Sequence, residues 1–546
     1  MLNLKTNNIL IKEQFVWWKH GVIYHIYPRS FYDSNNDGIG DIQGIIQKLD
    51  YLKDLGIDAI WLSPIYESPQ YDFGYDISDY YSIDPIFGVM DDFETLLQEC
   101  HNRNIRLIMD LIMNHTSNQH AWFKESSSSL TNPKRDWYIW KDGKNGNAPN
   151  NWISATGSKA WEYDEQTNQY YLHSFFKEQP DLNWRNEEMR EAFFNEIRFW
   201  LDLGVDGFRL DVINFIVKDK KFRDNPVFMG VPFLQKHLYN RNRPKSYKIV
   251  KKLRKLIDEY DNRMILGEIY VMPPGDAETA ASYLSSGEKG LNLAFDFSLI
   301  FKRWSASAYY KCIKRWYKHI PTDGWPCNVL SNHDLNRSYN RSLFGSNNNE
   351  KAKICAVLLL TIKGTPFIYY GEEIGMQNGE IEKKDIQDPL GKKFWPIYKG
   401  RDKARTPMQW NANINAGFSN NKPWLPLNSD YKFKNVELQD IQIDSVLKVY
   451  KNIIKLRKKF SALVYGDWKP IEKGEKGILA YYRIFDKENL LIILNFRNSY
   501  NSINIDVDCF HKVLFSTHRE IDKVYLESTL SIFPYEALIL APYKPI

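Results

Sequence analysis

The chain has 546 residues, 43% hydrophobic and 25% charged, with a net charge of +5. That length exceeds one ordinary domain and suits a large barrel carrying additional modules. The small net charge argues against a nucleic-acid partner, because basic clusters such as Lys251-Lys252-Leu253-Arg254-Lys255 alternate with apolar residues at helical spacing and read as a solvated helix face.

In chain order, short apolar runs alternate with amphipathic ones. A strand over 22–27 precedes a helix over 42–55, a strand over 57–62 precedes a helix over 90–102, and a strand follows over 105–109. The alternation then stops. Residues 115–184 are polar, aromatic and rich in Gly, Asn and Ser, too long for a plain loop, and read as a small inserted domain. It resumes with a helix over 187–203, a strand over 207–210, a helix over 247–260, and strands over 264–267, 292–297, 328–330 and 366–370. A helix is expected over 445–460 from the spacing of Val446, Val449, Tyr450, Ile453 and Ile454. Beyond residue 465 the Ile-, Leu-, Tyr- and Val-rich segments separated by Gly, Asn and Asp read as all-β. The expected class is α/β. A (β/α)8 barrel spans 1–114 and 185–465, the inserted domain 115–184 follows strand 3, and a C-terminal β-sandwich domain spans 466–546.

Polar residues collect where these strands end. Gly207-Phe208-Arg209-Leu210-Asp211 places Arg209 and Asp211 on one face of a strand, since side chains alternate. A guanidinium there is expected to keep Asp211 ionised, as a nucleophile requires. Asp110 to His115, Gly267-Glu268 and Asn332-His333-Asp334 likewise follow apolar strands. Three carboxylates, Asp211, Glu268 and Asp334, thus sit at three strand ends, and glycosidic bond cleavage needs a pair of carboxyl groups. Burial of Glu268 would raise its pKa and suit a general acid. His115 and His333 can donate hydrogen bonds to sugar hydroxyls without adding fixed charge.

With these motifs the chain resembles the α-amylase superfamily of glycoside hydrolases, and more narrowly its α-glucosidase and oligo-1,6-glucosidase branch. Gln179-Pro180-Asp181-Leu182-Asn183-Trp184, Asp72-Phe73-Gly74-Tyr75-Asp76 and Arg401 to Trp410 also match. The resemblance implies that Asp211 is the nucleophile, Glu268 the general acid/base and Asp334 the transition-state stabiliser. It implies that His115, Arg209 and His333 hold a terminal glucose, that Asp72 binds its outer hydroxyls and pairs with Arg405, and that Tyr75 stacks on the ring. Arg401 and Phe175 are further candidates for this pocket. Val212, directly after the nucleophile, goes in this branch with α-1,6 bonds, although Ile269 departs from the Gly-Glu-Met pattern. The implied activity is exo-acting, retaining hydrolysis of short α-gluco-oligosaccharides, leaning to α-1,6 linkages. An α-1,4-preferring maltase, a sucrose isomerase, a trehalose synthase, a trehalose-6-phosphate hydrolase and a catalytically dead transporter-associated or sugar-binding relative are the alternatives.

Asp33-Ser34-Asn35-Asn36-Asp37-Gly38-Ile39-Gly40-Asp41 carries oxygen side chains at alternate positions, like the first part of an EF-hand loop, but Gly44 stands where the bidentate Glu would be. An Asx-rich turn is one reading. The resemblance favours a structural Ca2+, or Mg2+, held by Asp33, Asn35, Asp37, the Ile39 carbonyl and Asp41. Cys100, Cys312, Cys327, Cys355 and Cys509 lack disulfide-framework or metal spacing, and no apolar core of signal-peptide length occurs in residues 1–14. A cytoplasmic protein, monomeric or homodimeric, with neither membrane nor nucleic-acid partners, is expected.

Overall fold

A computed structural model describes residues 15–543 apart from 230, 271–275, 285–288, 339–348, 473–475, 506–509 and 526–527. The leader-region reading of residues 1–14 and the thiol of Cys509 lie outside the described residues. Eight parallel strands close a barrel: β1 (Ile23–Ile26), β2 (Ala59–Leu62), β3 (Arg106–Ile112), β4 (Gly207–Asp211), β5 (Met264–Glu268), β6 (Leu293–Phe295), β7 (Cys327–Val329) and β8 (Thr365–Tyr369), each hydrogen-bonded to its neighbours in the chain, with β1 also beside β8. Every residue of β1, β2, β4, β5, β6, β7 and β8 is buried, which is why these strands read as unbroken apolar runs rather than alternating ones.

The barrel interior is packed in layers. Ile23, Ala59, Ile108, Met264, Leu293 and Phe367 belong to one apolar cluster near the bottom. Above them the His25 and Trp61 rings stack at 3.6 Å, and the Arg209 guanidinium lies 5.2 Å from the Trp61 ring. Register pairs Asp110 with Arg209 and Ile112 with Asp211, so the polar residues of β3 and β4 rise together toward the C-terminal rim.

Surface helices follow their local signals. The helix Glu187–Leu203 starts at Asn186, whose side chain accepts the Met189 amide, and stops at Gly204, which takes φ 110°. Its buried face carries Phe193, Ile197, Trp200 and Leu201. The expected helix over 42–55 is two helices, Ile42–Gln47 and Leu49–Leu55, because Lys48 between them leaves helical geometry at φ −105°, ψ 4°. The stretch 115–184 holds one helix, Ala121–Ser128, and a three-stranded antiparallel sheet of Trp140–Lys141, Gln169–Leu172 and Trp161–Asp164. At the C-terminal end a six-stranded antiparallel sheet and a two-stranded ribbon, Asn501–Asn504 with Thr529–Ile532, enclose a core that includes Ile493, Ile503, Val513, Leu530 and Leu538. Among the described residues no helix is long and apolar enough to cross a membrane.

Candidate active site

Four charged side chains meet at the C-terminal rim. Arg209 Nη1 donates to Asp110 at 2.7 Å and to Asp211 at 2.8 Å, and its Nη2 donates to Glu268. Asp211 and Glu268 are both buried and are joined through Arg209. One guanidinium therefore faces three carboxyl groups. Burial raises Asp211 well above the usual carboxylate range, and Arg209 only partly counters it while Glu268 and Asp110 reinforce it. Burial raises Glu268 and brings Asp110 up to about 6. Arg209 does favour the charged form of Asp211, as expected, but burial outweighs it. The single guanidinium charge is shared three ways, so it offsets the burial of Asp211 and Glu268 only in part.

The third strand-end carboxylate has the opposite environment. Asp334 receives Arg405 Nη2 at 2.8 Å and Arg401 Nη1 at 3.5 Å, and His333 Nε2 lies 3.4 Å away. Burial works against its charge, but His333, Arg401 and Arg405 together hold it well below the usual range. His333 is driven down to about 3, chiefly by burial, so its ring is neutral near pH 7. Asp72 pairs with Arg401 at 2.6 Å and not with Arg405, whose Nε instead donates to the His333 carbonyl at 2.8 Å. The expected Asp72–Arg405 link is corrected accordingly. Arg401 reaches three carboxylates because Asp388 also accepts from it at 2.7 Å.

These groups surround a cavity of about 230 Å3 lined by residues including Asp72, Tyr75, His115, Phe175, Gln179, Asp211, Val212, Glu268, Asp334 and Arg401. Tyr270, Leu335, Leu390 and Tyr398 add apolar surface to this lining. Arg209, His333 and Arg405, each no more than 1% exposed, contact the carboxylates directly: Arg209 binds Asp211 and Glu268, and His333 and Arg405 lie against Asp334. Tyr75 turns its hydroxyl to His333 Nε2 at 2.7 Å and to Asp110 at 3.1 Å, and its ring stacks on His333 at 5.4 Å. His115 Nε2 lies 3.0 Å from the Tyr75 carbonyl and 3.2 Å from Gln179 Nε2.

Val212 adopts φ 35°, ψ 44°, a left-handed conformation unfavourable to a β-branched residue. The strained turn stands directly after Asp211 and lines the pocket beside Glu268. Sequence reasoning missed this turn, as it missed Asp110, Gln179, Asp388, Tyr270, Leu335, Leu390 and Tyr398 as site residues. Asp110 and Gln179 stand inside motifs already visible. Asp388 and Tyr398 lie in an irregular stretch with no strand end to mark them.

The loop 33–41 folds as consecutive Asx turns. Asp33 accepts the amides of Asn36 at 2.7 Å and Gly38 at 2.8 Å, Asn35 accepts that of Asp37 at 2.9 Å, and Asp37 accepts that of Ile39 at 2.8 Å. Asp41 caps the helix Ile42–Gln47 through the Gly44 amide. The donors are all oxygen, which fits a hard cation. Among the described residues no three His, Cys, Asp or Glu side chains converge as a cation cluster, so an ion would have to draw Asp33, Asp37 and Asp41 together.

Comparison with known proteins places this geometry. The alpha-amylase catalytic-domain profile matches residues 25–466. The chain is 41% identical to an oligo-1,6-glucosidase of Parageobacillus thermoglucosidasius over 96% of this chain and 98% of that one. Among solved structures, the α-glucosyl transfer enzyme XgtA superposes with a TM-score of 0.91 at 37% identity, covering 97% of this chain and all of that one. The trehalulose synthase MutB of Pseudomonas mesoacidophila MX-45 gives 0.88 at 35% identity over 96% and 99% of the two chains.

Proposed function

The chain belongs to the α-amylase family, and from that premise we propose that it is an exo-acting, retaining α-glucosidase that removes terminal glucose from short oligosaccharides, with a leaning to α-1,6 linkages. The observation that carries this reading is the sharing of one guanidinium by Asp211 and Glu268 at the floor of a small pocket. Two carboxyl groups held by the two ends of one guanidinium stand close together, which suits double displacement rather than single inversion.

In the first step an Asp211 oxygen attacks the anomeric carbon while Glu268 delivers its proton to the departing glycosidic oxygen. The C–O bond to the leaving sugar breaks and a glucosyl ester on Asp211 forms. Glu268, now ionised, takes a proton from water, whose oxygen attacks the anomeric carbon and releases Asp211. Two inversions return the α configuration. Asp334, kept anionic by its two arginines, faces the positive charge that builds on the sugar ring in both steps. Asp72, Tyr75, His115, Phe175, Gln179 and Arg401 would enclose the sugar. A cavity of about 230 Å3 is smaller than the ~300–1,000 Å3 of drug-sized sites, so it suits one sugar unit at a chain end.

The linkage leaning rests on the oligo-1,6-glucosidase relative and on Val212 lining the pocket. Initial rates on isomaltose and maltose at equal concentration test it, with isomaltose expected to be faster. A faster maltose reaction, or products dominated by new disaccharides, would replace it with a maltase or a transfer enzyme.

We also propose that Asp33, Asn35, Asp37, the Ile39 carbonyl and Asp41 hold a structural Ca2+, or Mg2+, through which no chemical step passes. One bound ion after dialysis, with a lower melting temperature in EDTA, is expected. Absence of bound metal together with an unchanged melting temperature would refute it. Four buried thiols, Cys100, Cys312, Cys327 and Cys355, support the cytoplasmic reading, since none of them is in a disulfide.

A further inference from the structure

Behind the pocket wall lies a buried ammonium that the chemistry above does not use. Lys218 is 2% exposed. Its Nζ donates to Asp181 Oδ2 at 2.8 Å, to Asn114 Oδ1 at 2.8 Å and to the Phe215 carbonyl. An ammonium has three protons, and here each has an acceptor.

The acceptors come from three separate pieces of chain. Asn114 follows β3, Asp181 ends the inserted stretch, and Phe215 lies in the turn after β4. Each adjoins a residue of the pocket lining. His115 follows Asn114, Gln179 precedes Asp181 by two positions, and Val212 precedes Phe215 by three. Asp181 also accepts the Ser174 amide at 2.8 Å and its hydroxyl at 2.6 Å, directly before Phe175. Asn114 Nδ2 reaches Asp181 Oδ1 at 3.0 Å and His115 Nδ1 at 3.2 Å. The Phe215 and Phe175 rings lie 5.6 Å apart.

A buried charge pair with every donor satisfied tolerates little displacement, because any movement leaves a charge unsolvated in a low-dielectric interior. Burial lowers the Lys218 pKa and Asp181 offsets it, so the pair depends on both members. We propose that Lys218 is a positioning residue for the terminal sugar: through Asn114, Asp181 and the Phe215 carbonyl it sets where His115, Phe175 and Gln179 face the pocket. This inference rests on the glucosidase reading. It predicts that Lys218 acts on binding of the sugar ring and leaves the proton transfers at Asp211 and Glu268 largely alone.

Lys218→Met alone leaves Asp181 buried without its cation, so the test pairs it with Lys218→Met/Asp181→Asn, which removes both charges and keeps an oxygen for Ser174. Steady-state rates on p-nitrophenyl α-glucoside are read beside calorimetric binding of 1-deoxynojirimycin, a glucose-shaped amine. For the folded double variant KM and the inhibitor Kd should each rise about tenfold or more, with kcat falling less than about threefold. Values of KM and Kd within about twofold of the unaltered protein, or a loss confined to kcat, would overturn the inference. An unaltered protein that neither turns over the glucoside nor binds the inhibitor would instead overturn the glucosidase reading.

Discussion

At the residue scale the site is a problem in sharing charge. Asp110, Asp211 and Glu268 converge on Arg209 alone, whereas Asp334 receives Arg401 and Arg405. Burial raises the first group and the arginines hold the second down, which separates an acid from a permanent anion using the same functional group. Asp211→Asn should lower kcat by at least about a thousandfold, because the amide is a poor nucleophile. Its melting temperature should be unchanged or slightly higher, since one buried like charge has gone, and a clearly lower value would make Asp211 a structural residue. The same pair of carboxyl groups also sets the pH profile. Activity requires Asp211 ionised and Glu268 protonated, so kcat/KM should fall in acid as the pair gains a second proton and fall in alkali as it loses its only one. Both members are raised by burial, so the alkaline limb should lie well above the ordinary Glu value of about 4.3. A rate already falling between about pH 4 and 5 would contradict that upward shift.

At the element scale, strand β5 and the turn after β4 show how the backbone serves these groups. A Cβ on Gly267 would sit 2.3 Å from Leu291 Cδ1 and 3.1 Å from Ile213 Cγ2, so only glycine lets β5 approach its neighbours directly before Glu268. Gly267→Ala should cost about 1–3 kcal/mol of stability by overpacking, read from denaturant melts, and should reduce kcat by displacing Glu268. A variant as stable and as active as the unaltered protein would show that Leu291 yields freely. Strand ends were legible because a fully buried strand is a continuous apolar run, and a barrel rim is where that run turns polar. The Asp388–Arg401–Asp72 clamp was not legible. Its members are 329 positions apart at the extreme, and Asp388 stands in irregular chain, so no periodicity announces it. The break at Lys48 was hidden too, since Ile42 to Leu55 keeps helical apolar spacing on both sides of it.

At the scale of the whole molecule, residues far apart in the chain make one pocket because eight strands close on themselves. Asp72 follows β2, His115 follows β3, Phe175 and Gln179 come from the inserted stretch, and Arg401 lies beyond β8. The carboxyl motifs revealed the chemistry, but which carboxylate each arginine serves required the fold. Arg209 and His333 carry the same strand-end signal as His115, and in the fold Arg209 binds Asp211 and Glu268 while His333 lies beside Asp334. The central claim is that glucose passes through an ester on Asp211. Incubation with 5-fluoro-α-glucosyl fluoride, followed by digestion and peptide mass spectrometry, tests it most directly. The account predicts a fluoroglucosyl group on the peptide carrying Asp211, absent from Asp211→Asn. A label on another residue, or rapid turnover in which the first-formed glucose is the β anomer, would contradict it.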